Sequence, residues 1–406
     1  IRLLKEKDET KRGMIDLINL VANISEDMKE NTELTEDDGI KKILLESLDI
    51  SNEIAERWCA QKDHHWRQSY LESSVKIARF LRRMEEAREL QVQIAKSFEE
   101  EASSRESGIA KTFFYNKALS LYSNIGGFTK KMQELKSKIS QSLQQAEEKQ
   151  EFKEILFKMP LPVEEFIKNY VNKLQGKKPE EILRFLMDDE SLIPKKENIR
   201  QDIQENANQY PLQFLIPTQV YGRYGPIRTL SEPNEIFEYK VKERFNMESE
   251  IKEIFLCRLL ERLLKDKLKI EDILGFLKNG DNITKNCYKI IEAGINEHFK
   301  RNYIASVHIL VPQIEEILRT LLQNHGVTPA SYETKEQVIE EKLLRGLIDE
   351  SEIFVGENFA EYLRVRLLTE FANIRNKVCH GWMQSEEFTE MLSNALIYMI
   401  LRLSKK

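Results

Sequence analysis

Two residues near the C-terminal end of the sequence have side chains suited to chemistry on a phosphodiester. Arg375 is a permanent cation that can hold a phosphate through paired hydrogen bonds, and His380 is of the residue type whose proton affinity lies nearest neutral pH. Asn376 lies beside Arg375, and Gly381 follows His380. These residue types predict a site that grips a phosphate and moves a proton on a neighbouring ribose 2′-hydroxyl, which is metal-independent cleavage of RNA.

The spacing of Arg375 and His380 sets a geometric condition on such a site. Five residues correspond to about 140° of rotation on an ideal helix, so the two side chains would not share a face. Gly381 predicts a helix end here, because glycine commonly follows the last helical turn. The two residues can act on one phosphate if the helix is distorted near Gly381 or if a second copy of the chain supplies half of the site. The alternative is a surface arginine and a capping histidine.

The elements that must position these residues are predicted to be four helices in a compact bundle. Apolar residues recur at helical spacing in four segments, 283–299, 303–324, 358–379 and 385–404. Arg375 and His380 belong to the third of them. Residues 327–356 predict a charged surface insertion with one helix near 336–344.

The residues around this motif carry a family resemblance. Arg375-Asn-Lys-Val-Cys-His380-Gly resembles the Arg-Asn-x-x-x-His signature of the HEPN clan (higher eukaryotes and prokaryotes nucleotide-binding). The second helix, from Tyr303 to Arg319, is similar to the corresponding helix of one branch of that clan, known only as a domain of unknown function. The resemblance covers residues 283–404, under a third of the chain.

The resemblance implies an endoribonuclease that acts as a homodimer without a metal ion or other cofactor. Arg375 would bind the phosphate, His380 would serve as general acid or base, and Asn376 would orient one of them. Members of the clan are often toxins or antiviral defence effectors. Others have lost catalysis, so the alternative is a non-catalytic helical interaction protein or nucleotide-binding protein.

Three residues of the second helix are expected to support the site. Glu315 and Arg319 match an acid-x-x-x-basic pattern seen in parts of the clan, and their spacing places both on one helix face. Glu315 is expected to orient His380 or Arg375, and the alternative is a solvent-exposed salt bridge. His308 lies seven residues before Glu315 on nearly the same face, where it either joins the site or packs between helices.

The rest of the chain predicts two further domains. Residues 1–158 read as a helical array similar to tetratricopeptide repeats, which would bind a protein partner. Two prolines in Met159-Pro-Leu-Pro-Val163 place a boundary there, so residues 159–235 form a middle segment and 236–406 the HEPN-like domain. Within the middle segment, residues 214–230 have β character and predict a hairpin or ordered loop.

Four residues are expected to make weaker RNA contacts. Arg223, Tyr224 and Arg228 lie on the predicted hairpin, where an aromatic face can stack on a base while guanidinium groups hold the backbone. Lys377 lies within the Arg375 motif. An ordinary interdomain hairpin is the alternative reading of residues 214–230.

Composition favours a mostly all-α fold, because 406 residues include 15 Gly and 10 Pro and are 41% hydrophobic and 32% charged. The 62 basic residues against 68 acidic ones leave a net charge of -6, so any RNA contact must be local. The four cysteines form no Cys-x-x-Cys pair, and Cys59 with Asp63-His-His-Trp66 lacks the paired ligands of a zinc site. No apolar run approaches the roughly 20 residues of a membrane span, and no signal peptide is recognisable, so we expect a soluble cytoplasmic protein.

Overall fold

The computed structural model describes residues 16, 18–24, 37–149, 151, 162–222, 225–333 and 338–404. Within these residues helices dominate and the strands form two small sheets of two strands each, which confirms the predicted, mostly all-α fold. Contacts divide the chain into two compact units, Ile1–Phe157 with Gln219–Thr229 and Lys158–Thr218 with Leu230–Lys406.

The first unit is built from consecutive helices that each pack mainly on the next one along the chain. Residues 18–24 are helical, and five longer helices follow: α1 (Asp38–Ala60), α2 (His64–Phe80), α3 (Met84–Ser104), α4 (Gly108–Ile125) and α5 (Thr129–Glu148). Asp63 and Ser107 cap the N-termini of α2 and α4 with their side-chain oxygens. Gly108 lies so close to α5 that a Cβ atom would be 2.2 Å from the carbonyl oxygen of Ser142, so only glycine fits there.

Strands β1 (Thr218–Gly222) and β2 (Gly225–Leu230) form a two-stranded sheet, which confirms the predicted hairpin. Most residues of this sheet fall in the segment Gln219–Thr229, which belongs to the first unit. Arg228 is exposed on β2. Arg223 and Tyr224 lie outside the described residues. The expected RNA contacts of the hairpin therefore stay a prediction.

The second unit contains eleven of the described helices and one sheet. The helices are α6 (Val163–Lys173), α7 (Pro179–Asp188), α8 (Lys196–Gln209), α9 (Pro233–Asp266), α10 (Ile270–Lys278), α11 (Lys285–Phe299), α12 (Tyr303–Asn324), α13 (Leu344–Val355), α14 (Glu357–Leu368), α15 (Ile374–Cys379) and α16 (Glu390–Ser404). The sheet pairs β3 (Ala330–Glu333) with β4 (Val338–Glu341) in antiparallel register. None of the described helices combines the length and apolar character that crossing a membrane requires.

One hydrophobic core runs through this second unit. Side chains from α6 to α8, such as Tyr170, Leu186 and Ile199, belong to the same core as those of α9 to α16. Helix α16 is buried along most of its length and packs on α12 and α9. A helix that is apolar on nearly all sides belongs in the centre of a domain, and α16 has that place.

Three helix assignments made from the sequence are wrong in detail. The third helix of the bundle is not continuous over 358–379, because it stops after Leu368 and resumes as α15 at Ile374. The segment 385–404 consists of a 3₁₀ turn, Ser385–Glu387, followed by α16. The charged insertion forms β3 and β4 instead of a helix near 336–344, and its helix, α13, begins only at Leu344. Residues 334–337 lie outside the described part.

A buried ion pair joins α9 to α14. The guanidinium of Arg366 donates from Nε and Nη2 to the two carboxylate oxygens of Glu253, each at 2.8 Å. The hydroxyl of Tyr362 donates to the same carboxylate at 2.8 Å, and Asn246 and Glu250 accept from Nη1 of Arg366 at 2.9 Å. Arg366 and Glu253 are 6% and 2% exposed, so this pair is satisfied almost wholly by protein groups.

We expect Arg366→Met to destabilise the protein by about 3–5 kcal/mol, because it leaves the Glu253 carboxylate buried without its cation. Chemical unfolding followed by circular dichroism measures the change. Arg258→Met is the matched control, since Arg258 lies exposed on α9 and, among the described residues, forms its salt bridge with Glu261 on the surface. A loss for Arg366→Met as small as that of the control would contradict the prediction.

A second buried polar group, His298, lies where α11, α12 and α16 meet. Its Nδ1 is 2.8 Å from the hydroxyl of Ser393, which is also 2.9 Å from the hydroxyl of Ser306. Burial lowers the pKa of His298 to about 4. The folded protein therefore holds this imidazole neutral at pH values where the unfolded chain would protonate it.

The free energy of unfolding should fall as the pH drops from about 6.5 to about 4. In this range the unfolded chain binds a proton at His298 and the folded protein does not. His298 accounts for up to about 3 kcal/mol of this loss. Comparison of unfolding free energies at pH 7 and pH 4 measures it, with His298→Asn as the variant that lacks the titrating ring. Equal pH dependence of the unfolding free energy in the parent and in His298→Asn would show that His298 does not cause this loss.

Candidate functional site

The Arg375 motif lies on a short helix with defined ends. Asn373 precedes α15 with φ of 50°, the left-handed conformation that asparagine tolerates better than most residues. Its side-chain oxygen accepts a hydrogen bond from Asn376 Nδ2 at 2.8 Å. At the other end, Gly381 has φ of 67°, and Trp382 N–H donates to the carbonyl of Lys377 at 2.7 Å. The predicted helix end at Gly381 is confirmed, and its hydrogen bonds are those of a Schellman motif.

Glu315 on α12 lies between two arginines. Its carboxylate accepts a hydrogen bond from Arg319 Nη2 at 2.7 Å, and its second oxygen is 3.6 Å from Arg375 Nη2. Arg319 also donates to the carbonyl of Lys342, which follows β4, at 3.1 Å. The structure therefore brings Glu315 to Arg375, one of its two expected partners, and makes Arg319 the link between this cluster and the β3–β4 sheet.

Both arginines keep a buried N–H group without a hydrogen-bond acceptor. Among the described side chains, Arg319 Nη1 and Arg375 Nε are two of only five buried polar atoms that have no partner. Arg375 Nη1 donates weakly to Asn376 Oδ1 at 3.3 Å. Buried donors are normally paired because leaving one unpaired costs about 1–3 kcal/mol, so this cluster has unused capacity to bind an anion.

The imidazole of His380 contacts Trp382 and not the arginines. Its ring stacks on Trp382, with centroids 5.0 Å apart and planes 27° apart, and it is exposed. The backbone N–H of His380 donates to the carbonyl of Asn376 at 3.0 Å, but within the described part of the chain its imidazole has no hydrogen bond or ion pair with Arg375 or Asn376. The helix break that the structure shows lies before Arg375 and not between the two residues, so one copy of the chain does not bring this guanidinium and this imidazole together.

The other expected site residues have partners of their own. His308 stacks on Phe388 at 5.0 Å and its Nδ1 lies 2.8 Å from the carbonyl oxygen of Ile304. Lys377 donates to the carboxylate of Glu387 at 2.6 Å. Burial disfavours the charged form of Glu387, but the hydrogen bonds from Lys377 and from Gln384 N–H, together with the positive charge of Lys377, outweigh it and lower the pKa of this carboxyl.

We use the name Arg375 cluster for the three basic residues Arg319, Arg375 and Lys377 and the carboxylates paired with them, and its charges balance in one copy of the chain. Arg319, Arg375 and Lys377 supply three cations, and Glu315, Glu341 and Glu387 supply three carboxylates that pair with them. The nitrogen-to-oxygen distances in these pairs run from 2.6 to 3.6 Å. An incoming phosphate must therefore use the unpaired N–H groups or replace a carboxylate.

Three residues around Arg375 and His380 were not assigned a role from the sequence. Trp382 stacks on His380, Asn373 sets the start of α15, and Glu387 pairs with Lys377. The contact of Trp382 could have been predicted, because a large apolar residue just past a helix end often packs back on that helix. The acidic partner Glu387 carried no signal that distinguishes it from the other carboxylates nearby.

The described residues contain one group that could hold a metal ion, formed by Cys257, Glu261 and Glu390, and it includes no residue of the predicted site. Burial raises the pKa of the Cys257 thiol to about 11, with a hydrogen bond from Asn394 opposing it. A thiol must lose its proton to bind a metal, and burial opposes that loss at Cys257.

Comparisons of the chain with protein families, with curated proteins and with solved structures find no match.

The left-handed conformation of Asn373 leads to a prediction about how α15 is held. Asn373→Val should lower the unfolding free energy by about 2 kcal/mol, because a β-branched residue is strained at positive φ. Asn373→Gly is the matched control and should stay within about 1 kcal/mol of the parent, although it also loses the hydrogen bond from Asn376. Urea unfolding curves measure both. Equal losses would mean that the side chain matters here and the backbone conformation does not.

Proposed function

We propose that this protein is a cytoplasmic, metal-independent endoribonuclease of the HEPN type that acts as a homodimer. The observation that carries the proposal is the pair of guanidinium groups, Arg319 and Arg375, which share Glu315 and each keep a buried unpaired N–H. A phosphate accepts hydrogen bonds from such paired donors in the way that a carboxylate does. The four unpaired cysteines fit a reducing compartment.

The chemistry needs a proton acceptor and a phosphate ligand. His380 removes the proton of a ribose 2′-hydroxyl, and the resulting oxygen attacks the adjacent phosphorus. Arg375 stabilises the negative charge on the phosphate while the bond to the 5′-oxygen breaks, and that oxygen takes up a proton as it leaves. The products are a 2′,3′-cyclic phosphate and a 5′-hydroxyl, and no metal ion takes part.

The geometry of a single copy supports the proposal of a dimer. Arg375 lies in the first turn of α15 and His380 caps its other end, where its ring stacks on Trp382. A second copy facing the first would set its own His380 against this Arg375 cluster. Each active centre would then combine residues from both chains, and a monomer would bind RNA weakly and cut it slowly.

Regulation through the first unit is part of the proposal. Its helices pack mainly on their neighbours in sequence, an architecture that presents extended surfaces to protein partners. Such an arrangement suits a toxin or antiviral effector whose ribonuclease is held inactive until a partner binds. The balanced charges of the Arg375 cluster would keep the unstimulated protein from binding RNA indiscriminately.

A second candidate function rests on the same charge balance. If Glu315 stays paired with Arg319 and Arg375 in all states, the cluster only holds α12 against α15. The protein would then be a non-catalytic interaction protein. Its first unit would bind the partner.

Cleavage of total RNA by the purified full chain tests the two candidates. We expect products that end in 2′,3′-cyclic phosphates, formed equally in the presence of EDTA, and a loss of at least about 100-fold in rate for Arg375→Ala and for His380→Ala. Mapping of RNA termini and single-turnover rates provide the measurement.

Two exposed residues serve as controls. His65→Ala and Arg258→Ala remove an exposed histidine and an exposed arginine from other parts of the chain and should cleave at the parent rate. Mixing the inactive Arg375→Ala and His380→Ala proteins should restore activity at one of two composite centres. Cleavage by both variants at the parent rate would falsify the ribonuclease proposal, and failure of the mixture to recover activity would exclude shared centres.

A further inference from the structure

A groove of about 490 Å³ lies between α8, the 3₁₀ turn Pro211–Phe214 and α9. Its volume is in the range of about 300–1,000 Å³ that small-molecule sites occupy. All of its lining residues belong to the second unit, and none belongs to the Arg375 cluster. The lining combines apolar, carboxamide and charged side chains, so it suits a ligand with an apolar ring, polar edges and a charge.

The apolar wall has a fixed part and an open part. Phe214 is buried and packs on Phe237 with ring centroids 6.2 Å apart. Tyr210, at the N-terminal end of the same turn, is 62% exposed, and Met247 on α9 is also exposed. An exposed tyrosine ring beside a thioether in a concave site offers a surface on which a planar ring can stack.

Two carboxamides line the groove next to that tyrosine. Asn206 and Gln213 make no side-chain hydrogen bond within the described residues, although both line the groove. Their backbone is held in place, because Tyr210 N–H donates to the carbonyl of Asn206 at 2.8 Å and Gln213 N–H donates to that of Tyr210 at 3.3 Å. A carboxamide presents a donor and an acceptor side by side, which matches the edge of a nucleobase.

The cationic wall is formed by Lys240 and Arg244. The ammonium of Lys240 lies 5.4 Å from the ring centroid of Phe214 and has no carboxylate partner within the described residues. The ring therefore holds this charge at the groove without neutralising it. Arg244 pairs with Glu248 through Nε at 3.1 Å, which leaves its two Nη groups as donors. Ammonium and guanidinium groups placed in this way bind phosphate.

Glu243 is the single carboxylate of the lining, and it too has no partner among the described residues. An ionised carboxylate accepts hydrogen bonds and repels a phosphate, so it suits the hydroxyl groups of a sugar. We propose that this groove binds a nucleoside phosphate. The base stacks on Tyr210, its edge meets the carboxamides, a ribose hydroxyl donates to Glu243, and the phosphate lies at Lys240 and Arg244. The proposal does not depend on ribonuclease activity.

Titration calorimetry on the full chain tests the ligand class. The probes are the four common ribonucleoside monophosphates and their triphosphates, the free nucleosides, and inorganic phosphate. We expect at least one nucleotide to bind, its nucleoside to bind at least about 10-fold more weakly, and inorganic phosphate to bind more weakly still. Absence of nucleotide binding at about 1 mM overturns the proposal, as does equally tight binding of inorganic phosphate, which would mark a general anion site.

Variants locate the binding. Tyr210→Ala should weaken it by roughly 5- to 100-fold, the range measured when an aromatic residue is removed from beneath a base. Lys240→Met should weaken nucleotide binding by about 10-fold but leave nucleoside binding unchanged. Glu243→Gln should reduce the preference for the ribonucleotide over the deoxyribonucleotide. Nucleotide binding that all three variants retain in full would overturn the assignment to this groove.

Two controls keep the result interpretable. Lys242→Met removes an exposed lysine two residues from Lys240, about 200° around α9, and should bind as the parent does. A loss for Lys242→Met equal to that for Lys240→Met would show that only the overall charge of the helix matters, which contradicts the proposal. Arg375→Ala should also bind nucleotide normally, so failure of the ribonuclease proposal and failure of this one give different results.

Discussion

The ion pair between Glu253 and Arg366 is the constraint on which the arrangement of the second unit depends. It is buried, bidentate and supported by Tyr362, so it fixes α14 against α9 at one position along both helices. Apolar packing alone would allow the helices to slide, because many side chains of similar size can exchange places. A directional pair between buried charges favours the one arrangement in which both charges are paired. Helix α14 ends at Leu368, two residues after Arg366, so this pair also determines where the chain enters the Arg375 region.

The Arg375 cluster shows a competition between pairing within the chain and binding a ligand. Glu315 holds Arg319 and Arg375 near the surface in a fixed arrangement, and this preorganisation lowers the entropy that a phosphate would otherwise have to offset. The same carboxylate opposes the phosphate electrostatically. Glu315 and the two arginines therefore form a salt bridge, as a structural pair does, but each arginine also keeps an unpaired N–H, as a binding site would. The choice between the two proposed functions therefore depends on whether a phosphate can replace Glu315 at the two arginines.

The sequence was informative where local chemistry decides the structure. Apolar periodicity placed α12 at Tyr303–Asn324 with both ends correct, and glycine chemistry placed the end of α15 at Gly381. Periodicity could not reveal the break between α14 and α15, because buried Leu367, Ile374 and Val378 continue the apolar pattern across it. The break combines an extended backbone at Thr369 with a left-handed backbone at Asn373. The β3–β4 sheet was missed because its second strand ends in Glu340 and Glu341, which favour helices, and cross-strand pairing decides the outcome. The groove at Tyr210 joins two segments, 203–214 and 240–247, that are far apart in the sequence, so no local sequence pattern predicts it.

The route of the chain through the two units has a consequence for dissecting the protein. The first unit consists of residues up to Phe157 together with Gln219–Thr229, and the second unit begins before that hairpin and continues after it. Neither unit therefore corresponds to one uninterrupted stretch of coding sequence. A cut at any single peptide bond separates one of them from a part of itself. Ribosomal synthesis also completes the first unit only after about 60 residues of the second have been made, which ties the maturation of one to the progress of the other.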